Sequence, residues 1–244
     1  MVISNNVEGH NQRYEELKRT MAPDQLGPKY VGGGDVYKIG FFEKEIISRH
    51  TPLDLAYVVD LGCGVGRLTR YMLAENLSGY LGTDVVPEIL EDARALTNGD
   101  ERFRFEAVNS CAIPLEDGKA DIVCAFSVIT HLLDEEIFDY FREASRVLKT
   151  GGNFVVSFLD FSHHKHRNQF LAFAGDHKSR LDVLKFIEKS TLEFFAASSG
   201  LEVIEFIDAT IMMRPKSSAS NLLNGEPAPT EFQFGQSIVW LRKT

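Results

Sequence analysis

The chain has 244 residues and 44% hydrophobic residues, enough for one α/β domain that buries a full sheet between layers of helices. Its net charge of −9 weighs against broad electrostatic binding to nucleic acid or to an anionic membrane, so we expect a small-molecule partner. No apolar run reaches membrane-spanning length, and neither a signal-peptide core nor a CxxC spacing occurs. These features predict a cytoplasmic protein with reduced thiols, whose oligomeric state stays open.

The N-terminal part of the chain is polar and runs to the glycine run Gly32-Gly33-Gly34. We interpret residues 1–35 either as a lid over a binding site or as a plain helix packed on the outside. Apolar residues at helical spacing then predict a helix over residues 36–50.

A glycine-rich loop follows the first predicted strand. Val58 and Val59 form an apolar β-branched run, and Arg67 begins a segment with apolar residues on one helical face. Between them, glycines remove side chains where the backbone must turn tightly and approach a ligand. They are Gly62, Gly64 and Gly66.

Two acidic residues indicate which nucleotide this loop binds. A dinucleotide fingerprint requires a glycine at the position of Arg67, so NAD fits poorly. The charge of Asp60 beside the turn would repel a pyrophosphate but attract the ammonium of a methionine-like group. Asp84 ends the next predicted strand about 20 residues after the loop, where a carboxylate accepts ribose hydroxyls. S-adenosylmethionine therefore fits better than NAD.

The rest of the chain alternates strands and helices, which predicts one domain over residues 1–244 with a parallel sheet. Asp134 is predicted to cap a helix that Gly151-Gly152 stops, and Ser190 with Glu193 predicts a capping box. The predicted strands after Asp84 cover residues 103–108, 122–126, 153–159, 201–207 and 237–241. Two long connections interrupt this pattern, 161–185 and 208–234. We expect the first to shape a substrate pocket.

These motifs resemble the class I S-adenosylmethionine-dependent methyltransferases, through Asp60-Leu61-Gly62-Cys63-Gly64-Val65-Gly66, Asp84, and Leu148-Lys149-Thr150-Gly151-Gly152. The resemblance covers roughly residues 36–208. It implies a Rossmann-like, doubly wound, seven-stranded sheet, mostly parallel with an antiparallel last strand. It also implies S-adenosyl-L-methionine as the cofactor, held by the loop residues Asp60, Gly62, Cys63, Gly64 and Gly66.

Further cofactor contacts are implied by the same resemblance. Asn109 and Ser110 follow the third strand where the family reads adenine, although the family residue is commonly Asp and Asn109 also suits an ordinary turn. Val85 is placed to pack on the adenine or in the core. The carbonyl of Phe126 would receive the methionine ammonium. Phe126 and Ser127 replace the Asp/Asn-Pro-Pro-Tyr/Phe signature of amide and exocyclic-nitrogen methyltransferases, which disfavours those substrates.

Several histidines are candidates for chemistry. His131 follows the strand that ends at Phe126, and we interpret it either as a general base for a hydroxyl or as a residue that caps or packs the turn. His163, His164 and His166 lie together, but no HExxH or Cys-rich spacing accompanies them, so we expect no metal. Contact with the substrate, a second base and a solvated loop stay open for this cluster.

The segments Phe126–Leu132 and Phe234–Ser237 resemble bacterial methyltransferases encoded among glycan and natural-product genes. We therefore expect methyl transfer to a small molecule, with a hydroxyl oxygen of a sugar or natural product as acceptor. One alternative is a small-molecule N-methyltransferase. Another is a non-catalytic protein that binds S-adenosylmethionine, because a fold alone does not establish an activity.

Overall fold

A computed structural model describes residues 5–20, 35–174 and 184–244 of the chain. The glycine run Gly32-Gly33-Gly34, and with it part of the predicted lid, lies outside these ranges, as does part of the connection 161–185. No helix within the described ranges is long and apolar enough to cross a membrane.

The centre of the fold is a sheet of seven strands in the order β3-β2-β1-β4-β5-β7-β6. All neighbouring pairs from β3 to β5 are parallel, and β7 runs antiparallel to both β5 and β6. This confirms the doubly wound sheet with an antiparallel last strand. The strands are β1 Tyr57–Leu61, β2 Gly79–Asp84, β3 Phe103–Ala107, β4 Ala120–Ala125, β5 Leu148–Phe158, β6 Leu201–Ile207 and β7 Ser237–Lys243.

Helices cover both faces of this sheet, and the central strands are buried because of it. Ile46 and Met72 pack on one face, and Phe141 and Leu192 pack on the other. The helices are α1 Asn5–Thr20, α2 Val36–Ile47, α3 Arg67–Met72, α4 Ile89–Leu96, α5 Asp134–Val147, α6 His164–Ala174 and α7 Lys189–Ser198, with a 3-10 turn at Ile129–His131.

The order of strands determines where a ligand binds. β1 lies between β2 and β4. The chain adds β2 and β3 on one side of β1 and then crosses over to add β4 and β5 on the other side. In open α/β sheets, ligands bind in the crevice at the carboxyl ends of the strands beside such a switch point. The ends of β1, β2 and β4 carry Leu61, Asp84 and Ala125, so the predicted loop and acid meet at this edge.

The ends of α5 differ from the prediction. Leu133, not Asp134, is the N-cap, and its backbone N–H donates to Glu136 Oε2 at 2.8 Å. Asp134 is the first helical residue, where its charge faces the positive end of the helix dipole. The helix ends at Val147, before the glycine pair, and Gly151 with φ of 80° lies within β5.

The predicted capping box of α7 is also wrong. This helix begins at Lys189 with Glu188 as its N-cap, and the cap makes no side-chain hydrogen bond. The reason lies just before it, where the N–H of Ile187 donates to Leu159 O at 3.0 Å. This pairing with the end of β5 fixes where the chain enters the helix.

The described parts of the two long connections contain regular structure and contacts that their sequences do not indicate. The first contains α6, and its end lies beside the turn after β4, because Lys185 N–H donates to Thr130 O at 2.7 Å. The second packs largely on α2, where Phe232 stacks on Phe42 with ring centroids 4.3 Å apart. Its last residues return to the carboxyl edge of the sheet as β7 begins.

Candidate active site

The glycine loop after β1 approaches the turn after β4 closely. Gly62, Gly64 and Gly66 have φ of 64°, 52° and 77°, a left-handed conformation that favours glycine. A Cβ added at Gly62 would lie 2.7 Å from Val128 Cγ2. The loop therefore needs glycine both for its conformation and for its approach to the residues that follow β4.

Asp84 at the end of β2 is tied to this loop. Its Oδ2 accepts the backbone N–H of Gly64 at 3.0 Å, and its Oδ1 accepts that of Val86 at 3.1 Å. Burial raises the pKa of Asp84 to about 6, although these backbone N–H groups oppose the shift. A carboxylate has about four acceptor sites, so the side chain retains capacity for a pair of ribose hydroxyls.

Asp60 lies beneath the loop in a buried polar network. Its Oδ2 accepts the hydroxyl of Tyr80 at 2.6 Å, and the thiol of Cys124 lies 3.6 Å from Oδ1. Burial raises the pKa of Asp60 to about 6, while the hydrogen bond from Tyr80 lowers it. Cys63 in the glycine loop is also buried, and burial raises the pKa of its thiol well above the ordinary value.

A buried ion pair supports this network from α2. Glu43 Oε1 lies 2.8 Å from the guanidinium of Arg67, the first residue of α3. Burial raises the pKa of Glu43 to about 7, Arg67 lowers it, and the charge of Asp60 raises it further. The sequence analysis used Arg67 to begin a helix and to exclude a dinucleotide, but it did not identify Glu43 as a partner, which lies one helix earlier.

The predicted adenine side of the site lies at the ends of β2 and β3. Val85 is half-buried and packs against Tyr14, Val86 and Ile89. Asn109 and Ser110 are exposed beyond β3, and Val108 N–H donates to Asp84 O at 2.9 Å. The structure therefore brings Asp84 and the predicted adenine-reading pair Asn109 and Ser110 to neighbouring strand ends.

Residues after β4 form the opposite wall. Phe126 is buried and packs edge-on against Phe234, with ring centroids 5.5 Å apart. Ser127 has φ of 62°, an uncommon conformation for a residue with a side chain. The 3-10 turn follows directly and ends at His131, which is half-exposed.

Helix α1 reaches this wall from the N-terminal side. Tyr14 is buried with Val65 of the glycine loop and with Val86, which follows Asp84. One turn earlier on the same helix face, the ring of His10 meets the ring of His131 edge-on with centroids 5.2 Å apart. Sequence reasoning missed both α1 residues. The spacing of four residues places both side chains on one helical face, but it does not indicate that this face contacts the glycine loop and His131.

The second histidine cluster lies at the end of β5. His163 Nε2 lies 3.2 Å from Asp208 Oδ1, and burial lowers the pKa of His163. The ring nitrogens of His166 lie 3.2 Å from Asp160 O and 3.1 Å from Gly235 O. Within the described part of the chain, no group of three or more His, Cys, Asp or Glu residues is arranged to hold a metal ion.

The geometry fits a nucleoside cofactor with a methionine tail. The loop approaches the turn after β4 so closely that a Cβ at Gly62 would lie 2.7 Å from Val128 Cγ2, and the buried carboxylate of Asp84 accepts the N–H of Gly64 in the same loop. A neutral or cationic tail suits this acidic edge better than a pyrophosphate, because Asp60 and Asp84 would repel phosphate charge.

Comparisons with known proteins show similarity to methyltransferases. Residues 59–156 match a family model described as a methyltransferase domain. The 2-methyl-6-phytyl-1,4-hydroquinone methyltransferase of Synechocystis is 30% identical over 100 residues, which are 41% of this chain and 31% of that protein. Alpha N-terminal protein methyltransferase 1 of Caenorhabditis elegans is 30% identical over 112 residues, 45% of this chain and 47% of that protein. The chain thus spans less than half the length of these curated relatives.

The fold comparison extends over nearly the whole chain. The crystal structure of magnesium protoporphyrin IX methyltransferase from Synechocystis, which contains bound S-adenosylhomocysteine, superposes with a TM-score of 0.63. The two chains are 14% identical, and the match covers 97% of each. Residues 59–156 thus match a methyltransferase domain, and the chain as a whole has the fold of an S-adenosylmethionine-dependent methyltransferase of known structure.

Proposed function

We propose that this protein transfers a methyl group from S-adenosylmethionine to a hydroxyl oxygen of a small molecule such as a sugar or natural product. The observation that carries the proposal is the contact between the glycine loop and the turn after β4. Val128 lies against Gly62, and His131 follows three residues later in the same turn. This contact supports a role for His131 as a base beside the loop that is proposed to hold the cofactor.

The residues that would hold the cofactor come from consecutive strand ends. Asp84 accepts the ribose hydroxyls, Asn109 and Ser110 read the adenine edge, and Val85 packs on its face. Asp60 and the carbonyl of Phe126 attract the methionine ammonium, with the backbone of Gly62, Cys63, Gly64 and Gly66 forming the floor. When bound, S-adenosylmethionine supplies an electrophilic methyl group on a sulfonium.

His131 is the proposed general base. A hydroxyl must lose its proton as its oxygen attacks, and an imidazole titrates near neutral pH, which makes it a suitable acceptor for that proton. Holding the hydroxyl in line with the reacting carbon contributes the larger part of the rate acceleration. Residues at the end of the first long connection, near Lys185, support the wall on which the acceptor would rest.

Helix α1 is proposed as a lid over this site. Tyr14 packs on the glycine loop through Val65, and His10 contacts His131, so the helix spans the cofactor and acceptor sides of the crevice. Covering the crevice would exclude water and hold both ligands in place. The alternative of a plain outer helix is less suitable because its buried face contacts the proposed site.

Two other functions compete with this proposal. A small-molecule N-methyltransferase would need less help from His131, because an amine can lose its proton to bulk water before it attacks. The matched relatives are named for a hydroquinone and for protein N-termini, so they do not favour one acceptor atom. A non-catalytic protein that binds the cofactor is the third candidate.

A paired measurement tests the proposal. Calorimetry with S-adenosylhomocysteine and with NAD reports the binding specificity. Production of S-adenosylhomocysteine is then measured with methyl glycosides, hydroquinones and primary amines. We expect binding of the methionine nucleoside alone and turnover on a hydroxyl acceptor. Turnover on amines only would favour N-methylation, binding without turnover on any acceptor would favour the non-catalytic alternative, and tight NAD binding would contradict the proposal.

A further inference from the structure

A closed ring of hydrogen bonds surrounds the residue after Phe126. The N–H of Ser127 donates to Ser157 Oγ at 2.7 Å, and Ser157 Oγ donates in turn to Gln236 Oε1 at 2.7 Å. Gln236 Nε2 closes the ring by donating to Ser127 Oγ at 3.1 Å. The ring therefore joins three residues that are far apart in sequence: Ser127 just after β4, Ser157 near the end of β5 and Gln236 just before β7.

Ser127 has an unfavourable backbone conformation within this ring. Its φ of 62° brings Cβ close to a backbone carbonyl, a contact that glycine avoids. Such a conformation persists only where surrounding contacts impose it. Gln236 and Ser157 supply those contacts, and Thr130 Oγ1 adds one by donating to Ser127 O at 3.1 Å.

The segment that carries Gln236 is itself anchored from both sides. Phe234 packs on Phe126, and Gly235 O lies 3.1 Å from the buried ring of His166. His166 contacts Asp160 O through its other nitrogen, so the segment is tied to the end of β5. Gln236 is thus presented to Ser127 by a supported backbone.

We propose that Gln236 is a positioning residue for the cofactor site. It holds Ser127 in the left-handed conformation, which aims the Phe126 carbonyl and the turn bearing Val128 toward the glycine loop. This role is exerted through Ser127 and requires no contact of Gln236 with the cofactor or the acceptor. The inference rests on the proposed binding of the methionine tail at the end of β4, and it assigns a role to a residue that lies 109 positions after Ser127.

The test compares Gln236→Leu with the same change in a Ser127→Gly background. Calorimetric affinity for S-adenosylhomocysteine is the measured quantity, so the test does not depend on an acceptor. We expect Gln236→Leu to weaken binding about tenfold, which corresponds to about 1.4 kcal/mol. Glycine adopts the left-handed conformation without support, so Ser127→Gly should bind nearly as well as the wild type and should make Gln236→Leu almost neutral.

Controls separate this role from a general loss of structure. Gln233 lies in the same connection and donates to Thr210 O at 2.8 Å, away from Ser127, so Gln233→Leu should keep wild-type affinity. If Gln236→Leu does not fold, Gln236→Asn removes the same bridge with a shorter amide and carries the same expectation.

Three results would overturn the inference. The first is wild-type affinity in a folded Gln236→Leu protein. The second is an equal loss of affinity from Gln236→Leu with and without Ser127→Gly, which would indicate a packing effect. The third is a wild-type protein that does not bind S-adenosylhomocysteine, and this result alone would also contradict the proposed function.

Discussion

His10 and His131 meet edge-on with ring centroids 5.2 Å apart, although they lie far apart in the sequence and belong to different elements. His10 lies on α1, and His131 ends the 3-10 turn after β4. Their contact joins the N-terminal helix to the strand end that faces the cofactor loop. It motivates the first two predictions.

Deleting residues 1–30 should leave the sheet folded but impair both S-adenosylhomocysteine binding and turnover. Strand pairing begins at Tyr57, so α1 is not needed for it, whereas Tyr14 covers Val65 and Val86 beside the site. Circular dichroism and a thermal melt check the fold, and calorimetry measures the affinity. Full affinity and full activity in the truncated protein would rule out a lid.

Replacing His131 with Ala should slow methylation of a hydroxyl acceptor by about 10² to 10⁴, the usual contribution of a general base. Cofactor affinity should change little. His131→Gln should be nearly as slow, because glutamine forms hydrogen bonds but does not accept the proton. His50→Ala is the matched control, since His50 binds Glu205 and packs on Trp240 away from the carboxyl ends of the strands.

The pH dependence of the wild-type rate extends this test. If His131 takes the proton, the rate should rise as pH increases through the titration range of an imidazole. Recovery of most of the activity by His131→Gln would show that this residue orients the acceptor or stabilises the turn, and the cluster of His163, His164 and His166 would then be tested.

Replacing Asp84 with Ala should weaken binding of S-adenosylhomocysteine by about 1.5 to 3 kcal/mol, the range for a hydrogen bond to a charged group. Burial raises the pKa of Asp84 to about 6, so its ionised, better-accepting form is lost as pH falls through that value. Wild-type affinity should therefore decrease below a pH of about 6. Calorimetry over this range measures the effect, and an unchanged affinity in folded Asp84→Ala would reject the ribose contact.

Glu43→Gln should reduce the dependence of stability on pH. The pKa of Glu43 is raised from 4.5 to about 7 in the folded protein, so the native state binds more protons than the unfolded state between these values. The free energy of unfolding should consequently fall as pH rises through this window. Urea denaturation at about pH 5 and about pH 8 measures the slope. If the free energy of unfolding depends equally on pH in the wild type and in Glu43→Gln, the raised pKa of Glu43 would be contradicted.

The partner of Glu43 gives an independent check on the same ion pair. At about pH 8, where Glu43 is ionised in the wild type, Arg67→Met removes the charge that compensates the buried carboxylate, and removing one member of a buried pair costs about 3 to 5 kcal/mol of stability. The double variant Glu43→Gln with Arg67→Met should be less destabilised than Arg67→Met alone. Additive losses in the double variant would indicate that the two side chains do not depend on each other.

Local chemistry made the central part of the fold predictable from sequence. Left-handed turns and close approach require glycine, which is why Gly62 and Gly66 mark the loop in the amino-acid sequence itself. Apolar β-branched runs predicted the buried parallel strands, and Asp84 at the end of β2 was predicted from its spacing after the glycine loop. The resemblance supplied the antiparallel last strand, which periodicity does not distinguish from a parallel one.

Contacts between distant segments were decided only by the tertiary structure. The sequence left residues 1–35 as a lid or an outer helix, and only the structure shows that Tyr14 is buried in one cluster with Val65 of the glycine loop and Val86. The sequence around Ser127 gives no local signal for its left-handed conformation, and the side chains that bond to it, Ser157 and Gln236, come from distant parts of the chain. Glycine loops and strand patterns are properties of neighbouring residues and can be read along the chain. The pairing of His10 with His131 and of Gln236 with Ser127 depends on how the strands and helices pack in space.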